Sequence, residues 1–425
     1  MSEALPDRAE VVVIGGGVTG ATLATVLARA GVDVLVLEKQ AEYRDRAQGE
    51  ALMPWGAVEA RTMGVLDDLL ASGSVLDRVY GFDERRSAEE VLADPERVDT
   101  LFPGIPGIVG IGHPLLTGTM AAEAAAAGAR VQMGATVAAV SPGRVCVDLG
   151  GRTGEVQCQL VVGADGKRSR VRDELGFELH EGGARSIAFG MLAEGFGPGV
   201  PLDAVSTGLV PGRSSVVFPQ AGRRARLYHL LPDGTPSPYT GRERGRAFLE
   251  DFHQTPMPWG EDVAAGAEAG PCARFPIFDA WVEQPCMPGA VLVGDAAGFS
   301  NPMCAQGIAI CMRDVRMVAE AVLSQRNHLD RCTFEEYVHD RALRMSRLRV
   351  TAELFTVLVL PPRDPARTRA HMVDVLDRVP EANVATEPIH LGPYASPPEA
   401  FDRAHLEAMF GIHLGDTPRL RRAGR

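Results

Sequence analysis

Val11-Val12-Val13-Ile14-Gly15-Gly16-Gly17-Val18-Thr19-Gly20 is the stretch on which the fold turns. The β-branched run Val11–Ile14 reads as a buried parallel strand that stops abruptly at three glycines. Val18, Ala21, Ala24 and Leu27 then recur at helical spacing, with alanine-rich filling, up to Gly31, a natural helix end. Val32–Leu37 predicts a second strand, closed by Glu38.

Gly15, Gly17 and Gly20 thus form G-x-G-x-x-G between a strand and a helix, with an acidic residue 18 positions after Gly20, the dinucleotide-binding fingerprint in its required context. Gly15 permits the sharp turn, Gly17 lets a pyrophosphate approach the backbone, and Gly20 lets the helix lie close to the strand. The helix N-terminus favours the phosphate charge, and Glu38 is placed to accept hydrogen bonds from ribose hydroxyls. By itself this motif does not separate FAD from NAD.

Two further segments carry the same strand-to-helix logic. Leu160–Val162 predicts an apolar strand running into Gly163-Ala164-Asp165-Gly166. Ala290–Val293 predicts another, entering Gly294-Asp295-Ala296-Ala297, with Pro302 and Ala305-Gln306-Gly307 ahead of a helix over Ile308–Leu323. The unpaired amides of that helix start can hold a polar or anionic group.

With these three ordered motifs, the sequence resembles the class A flavoprotein monooxygenases, the para-hydroxybenzoate hydroxylase type, over roughly residues 9–325. The resemblance implies an α/β fold: a glutathione-reductase-like Rossmann FAD-binding domain, an inserted antiparallel β-sheet substrate domain and a helical C-terminal part. It also implies roles. Asp165 would lie near the FAD pyrophosphate and the nicotinamide path, and Gly294-Asp295 would meet the ribityl chain. Pro302 would pack by the isoalloxazine, and Ala305, Gln306, Gly307 and Ile308 would present amides to the flavin pyrimidine edge. Arg46 looks like the family's arginine near the cofactor phosphates or ribose. Three positions depart from the family: Gly298 where many relatives carry histidine, Ala305 in place of glycine, and His113, ahead of a helix over Leu116–Ala127, in place of a cofactor-contacting arginine.

The expected organisation is a discontinuous FAD-binding domain over 8–72, 98–180 and 271–325, a substrate-binding sheet domain over 73–97 and 181–270, and a helical region over 326–425 with a flexible basic tail. Within the insert, Ile187–Glu194, Ala204–Leu209, Ser214–Phe218 and Arg226–Leu231 are apolar runs between Gly/Pro turns, the pattern of an antiparallel sheet. The charged stretch 83–97 is expected as a loop or surface excursion, and helices are expected around 333–358 and 369–379.

Composition excludes several classes. A formal charge of −12 over 425 residues argues against a nucleic-acid partner, which would need a basic field. The cluster Arg223, Arg224, Arg226 and the tail Arg419, Arg421, Arg422, Arg425 are expected as solvated charge. Seven scattered cysteines without a C-x-x-C pair suggest neither disulfides nor zinc, and the ten histidines show no H-x-x-x-H pair, so no metal site is expected. No apolar run reaches the ~20 residues needed to span a bilayer, and no signal region is seen, so a soluble, cytoplasmic protein is expected. Oligomeric state leaves no mark in the sequence.

No second G-x-G-x-x-G unit follows, so NADH or NADPH would visit the flavin and leave; the resemblance further implies that O2 would add to the reduced flavin as a C4a-hydroperoxide. The distal oxygen would then hydroxylate or epoxidise an aromatic, polyketide-like or alkene substrate, in the family's habit of aromatic catabolism or secondary metabolism. No side chain is compelled to act as acid or base. Phe218, Tyr228, His229, Phe275 and Phe278 are candidate pocket residues, each also at home as a core aromatic or surface histidine. Gly298 and His113 keep open a reductase or dehydrogenase of the geranylgeranyl-reductase type, and a non-redox cyclase retaining FAD as scaffold is a third reading.

Overall fold

The computed structural model describes residues 5–45, 50–326, 332–361, 364–414 and 419–421. Arg8–Ile14 forms the middle of a mostly parallel sheet, between Val34–Glu38 on one side and Arg152–Gly163 on the other. Arg130–Met133 extends the sheet beyond Val34–Glu38, and Ala290–Leu292 extends it beyond Arg152–Gly163. Both faces of this sheet are covered. Val11, Val13, Val34, Val36, Leu160 and Val162 pack under the helices Val18–Arg29 and Gly307–Ser324. Val12, Ile14, Leu35, Leu37, Val161 and Leu292 pack on the other side against the hairpin Thr136–Ser141/Arg144–Leu149. Burial on two faces explains why these strands read as unbroken apolar runs.

The chain leaves the first strand to one neighbour and returns on the other, so Arg8–Ile14 marks a topological switch point, where open α/β sheets place their ligand crevice. Ile14 pairs with Gly163, and Gly163 with Leu292. The three glycine-bearing motifs therefore emerge side by side from the carboxyl ends of three adjacent strands.

A second, ten-stranded sheet runs in the order Gly298–Phe299, Ala273–Trp281, Leu179–Glu194, Arg224–Pro232, Arg213–Gln220, Ala204–Val210, Arg78–Phe82, Glu96–Arg97, with short edge pairings to Leu179–Glu194. Its central pairings are antiparallel, while Ala204–Val210 runs parallel to Arg78–Phe82. One face packs on the short helices Arg244–Glu250 and Gly260–Ala264, and the other looks toward the first sheet's helices and a long C-terminal helix, Glu335–Val359.

Several expectations need correction. Ala273–Trp281 is hydrogen-bonded into the second sheet, although its sequence position suggested the cofactor unit. The stretch 83–97 is not plain loop: Ser87 and Glu90 form a reciprocal capping box that starts a helix over Ala88–Ala93. Arg419–Arg421, expected to fray, pairs with Leu179–Glu181 at the edge of the second sheet. Arg226 is fully buried rather than solvated, because it lies on the strand face that meets Glu50 and Asp45. No helix among the described residues is long and apolar enough to cross a membrane.

Candidate active site

The first crossing is built as its glycines require. Gly15 has φ +101°, and a Cβ there would fall 2.4 Å from the Ala164 carbonyl oxygen. A Cβ on Gly20 would fall 1.9 Å from the Gly15 carbonyl oxygen, so this glycine sets the closeness of helix and strand. Gly17 differs: a Cβ there would meet nothing within 4 Å. It caps the helix Val18–Arg29 with no side chain hydrogen-bonded over the helix start. An open, backbone-lined helix N-terminus is a ready anion site. Glu38 is buried, and its two oxygens accept the amides of Gly16 and Gln40, both at 2.8 Å. It braces the turn as well as marking the strand end.

At the second crossing, Asp165 Oδ2 accepts the amides of Arg170 and Val171 at 2.7 and 3.2 Å, while its Oδ1 is buried without a partner among the described residues. Burial pushes this carboxyl above its ordinary range. At the third, Asp295 is half-buried and accepts no hydrogen bond from the described residues; burial raises its carboxyl, opposed by Lys167 and Arg341. Gly294 adopts φ +58° and donates its amide to Asp314 at 2.8 Å. Asp314, fully buried in Gly307–Ser324, also receives Arg341 Nε at 3.1 Å and Arg344 Nη2 at 2.7 Å. Arg341 goes on to donate to the carbonyls of Gly294 and Gly298, clamping both ends of the turn. Sequence reasoning missed this clamp. Its only trace was Asp314, a lone acid on the apolar side of a helix.

Gly298 has φ +117°, with Ala280 and Trp281 backbone only 2.4 Å from where a Cβ would stand. A histidine does not fit there, which accounts for this departure. Asn301 donates its amide to Asp279 at 2.9 Å and accepts the amide of Met303 at 3.0 Å, fixing the turn at Pro302. Ala305 takes the left-handed conformation at φ 54°, strained by roughly 1–2 kcal/mol relative to glycine. Gln306 is buried; its side chain receives Trp55 Nε1 at 2.7 Å and donates to the Ile389 carbonyl at 2.9 Å, so it locks the loop and only its amide remains for a ligand. Gly307 begins the helix with open space where a Cβ would be. His113 starts the helix His113–Ala126, earlier than the sequence suggested. Arg46 lies outside the described residues.

Pro302, Ala305, Gly307 and Ile308 line one part of a cavity of about 580 Å³ whose opposite wall is the second sheet. Three of the five pocket candidates, Phe218, Tyr228 and Phe275, line it. Two do not. His229 is fully buried on the other face of its strand, bonded to Ser215 at 2.8 Å and the Phe248 carbonyl at 3.1 Å; burial pushes its imidazole down to about 4. Phe278 packs edge-on against Phe299 with ring centroids 5.3 Å apart, away from the cavity.

Sequence reasoning also missed Glu50, which is buried on the cavity wall between Arg226 and Tyr228. Part of the cavity lining carries a band of ion pairs. Arg369 holds Asp83 at 2.7 Å and Glu84 at 2.8 Å, Arg85 holds Asp377 at 2.8 Å, and His390 meets Glu96 at 2.6 Å. These pairs pin 83–97 onto the helices Pro365–Arg378 and Pro388–Leu391.

Three features follow the ends of adjacent strands: an open helix start at Gly17, and, among the described residues, a buried Asp165 oxygen and an Asp295 carboxylate without hydrogen-bond partners. This donor set fits FAD, with the helix start for pyrophosphate and acceptors for hydroxyl groups.

The comparisons agree with that fit. A family model described as FAD binding domain matches residues 8–351. The 2-heptyl-3-hydroxy-4(1H)-quinolone synthase of Mycobacteroides abscessus is 29% identical over 395 residues, covering 87% of this chain and 91% of that protein. The 6-hydroxynicotinate 3-monooxygenase of Bordetella bronchiseptica is 26% identical over 368 residues, covering 81% and 90%. Among solved structures, p-nitrophenol 4-monooxygenase from Pseudomonas putida superposes with a TM-score of 0.72 at 18% identity, over 95% of this chain and 97% of that one, a likeness of fold. With the match spanning most of its length, the chain belongs to the FAD binding domain family of flavoprotein monooxygenases.

Proposed function

We propose that this protein uses NADH or NADPH and O2 to hydroxylate or epoxidise an aromatic, polyketide-like or alkene substrate held between its two sheets. The observation that carries the reading is the continuity of Pro302, Ala305, Gly307 and Ile308 with a cavity walled by Phe218, Tyr228 and Phe275. Bound FAD would supply two-electron exchange with the nicotinamide and activation of O2. In this reading Gly15, Gly17 and Gly20 seat the pyrophosphate, Asp165 lies near the pyrophosphate and the nicotinamide path, Glu38 meets ribose, Gly294-Asp295 meet the ribityl chain, and Arg46 meets phosphate or ribose.

The chain's own residues then do three things. The Ala305–Ile308 amides, aimed by a helix start and fixed by Gln306, stabilise negative charge on the group beside them. The apolar wall keeps the reacting centre dry. The band of ion pairs holds 83–97 against the cavity. The same reading divides the chain into a cofactor unit around the first sheet and a substrate unit around the second, and places it in the cytoplasm.

The test is purification followed by turnover. The protein should carry FAD, oxidise NAD(P)H faster when substrate is present, and place one atom of labelled O2 in the product. Product formed under strict anaerobic conditions would instead support a reductase or a cyclase.

A further inference from the structure

We propose that Glu50 and Tyr228 form the polar subsite of the cavity and that they select an uncharged organic substrate carrying an O–H or N–H donor, against aromatic carboxylates. This inference rests on the proposed oxygenation chemistry and names the substrate class for that same site.

Glu50 is only 4% exposed, yet it lines the cavity. Its Oε1 accepts Arg226 Nε at 3.0 Å and its Oε2 accepts the Tyr228 hydroxyl at 2.5 Å. Arg226 lies behind the wall and is shared, because its Nη2 also holds Asp45 at 2.5 Å. Among the described residues one guanidinium therefore faces two carboxylates, and these three groups, ionised, carry a net negative charge. Burial, with repulsion from Asp45 added, pushes the Glu50 carboxyl up to about 7. A buried carboxylate that shares its guanidinium with Asp45 leaves little to offset a second anion placed beside it.

What the cluster offers the cavity is acceptor capacity. Tyr228 gives its single proton to Glu50, leaving the phenol oxygen's lone pair, and an ionised carboxylate accepts only. The ring of Tyr228 is held edge-on by Phe218, at 6.4 Å and 80°, and by Phe275, at 6.3 Å and 87°, so the direction of that oxygen is fixed. Around it the wall is apolar: Met53, Val216, Leu230 and Ile277. A ligand placed here loses its water and has acceptors to satisfy.

The cations that line the cavity do not compensate for an acid. Among the described residues, Arg369 is engaged by Asp83 and Glu84, Arg85 by Asp377, Arg86 by Asp94 and His390 by Glu96. A substrate carboxylate would be buried beside Glu50 with no uncommitted cation lining the cavity among the described residues, which is strongly unfavourable. A hydroxyl or N–H group meets two acceptors instead. The void has room for several rings, since about 150 Å³ suffices for benzene.

The experiment compares two probes of similar size, 2-naphthol and 2-naphthoate, titrated into the oxidised holoenzyme at pH 8 by calorimetry and by the spectrum of its bound FAD. At least about tenfold tighter binding of 2-naphthol is expected. Glu50→Gln should narrow that ratio to about twofold or less, mainly by strengthening 2-naphthoate, and Tyr228→Phe should weaken 2-naphthol about fivefold while leaving 2-naphthoate unchanged. Equal or tighter binding of 2-naphthoate, binding of neither probe at millimolar concentration, or an unchanged ratio in a folded Glu50→Gln protein overturns the assignment. The wild-type comparison decides even if a variant fails to fold. Because no turnover is read, a protein that prefers 2-naphthol but inserts no oxygen would sink the oxygenation reading and leave this subsite standing.

Discussion

Asp314 and Arg341 meet directly beneath the Gly294 turn, where one carboxylate oxygen receives both the Arg341 Nε at 3.1 Å and the Gly294 amide at 2.8 Å. Removing one partner of a buried pair strands the other's charge, at about 3–5 kcal/mol. Asp314→Asn should therefore lower the melting temperature sharply and reduce the FAD that copurifies, both read from the same preparation by thermal melt and absorbance. A variant with wild-type stability and full FAD content would show that the clamp is ornamental.

Gly17 and Gly20 should separate binding from folding. Gly17→Ala adds a methyl into open space and should change stability by less than about 0.5 kcal/mol, while weakening FAD binding tenfold or more. Gly20→Ala drives a methyl into the Gly15 carbonyl and should cost about 1–3 kcal/mol or more. Chemical denaturation of the apoproteins, with FAD titration of each, checks the contrast. Equal losses of stability would contradict it.

His229 should set part of the acid limb. Its imidazole, pushed down to about 4 by burial, has an unfolded value of about 6.5. Between these values the unfolded chain binds more protons than the native one, so stability rises with pH across the window. The contribution is complete above the unfolded value and is lost as pH falls toward 4, about 3 kcal/mol in full. His229→Gln should be less stable than wild type at neutral pH, with a gap that closes on acidification. Urea midpoints at several pH values measure it, and a gap independent of pH would refute the assignment.

Arg369→Gln releases Asp83 and Glu84 while leaving the Arg85–Asp377 and His390–Glu96 pairs in place. A global loss of about 1–3 kcal/mol is expected, with hydrogen exchange across 83–97 accelerated more than elsewhere. Uniform acceleration over the whole chain would show that the band does not hold this segment in particular.

The cofactor crossings were legible in the sequence because their geometry is written in backbone requirements: Gly15 and Gly20 are there since no side chain fits. The alternation along Arg224–Pro232 also told that Tyr228 and His229 face opposite ways. It did not tell which way the cavity lies, so both were singled out alike, although only Tyr228 lines the cavity. Phe275 and Phe278 divide in the same manner. Arg226 shares the face of Tyr228, but its partner Glu50 is 176 residues distant, and a charge paired only in three dimensions looks solvated in one. Asp314, Arg341 and Arg344 escaped for the same reason.

Glu335–Val359 runs 25 residues without a break, about 37 Å of continuous helix. Its first turns grip the Gly294–Gly298 bend through Arg341, and its far end supplies Phe355, Leu358 and Val359 to the cavity wall. The rod is pinned along its length as well, by Arg347 to the Pro393 carbonyl, Arg403 to Glu353 and the Asn301 side chain to Thr356. One stiff beam thus ties the width of the chamber to the position of the bend that would face the cofactor.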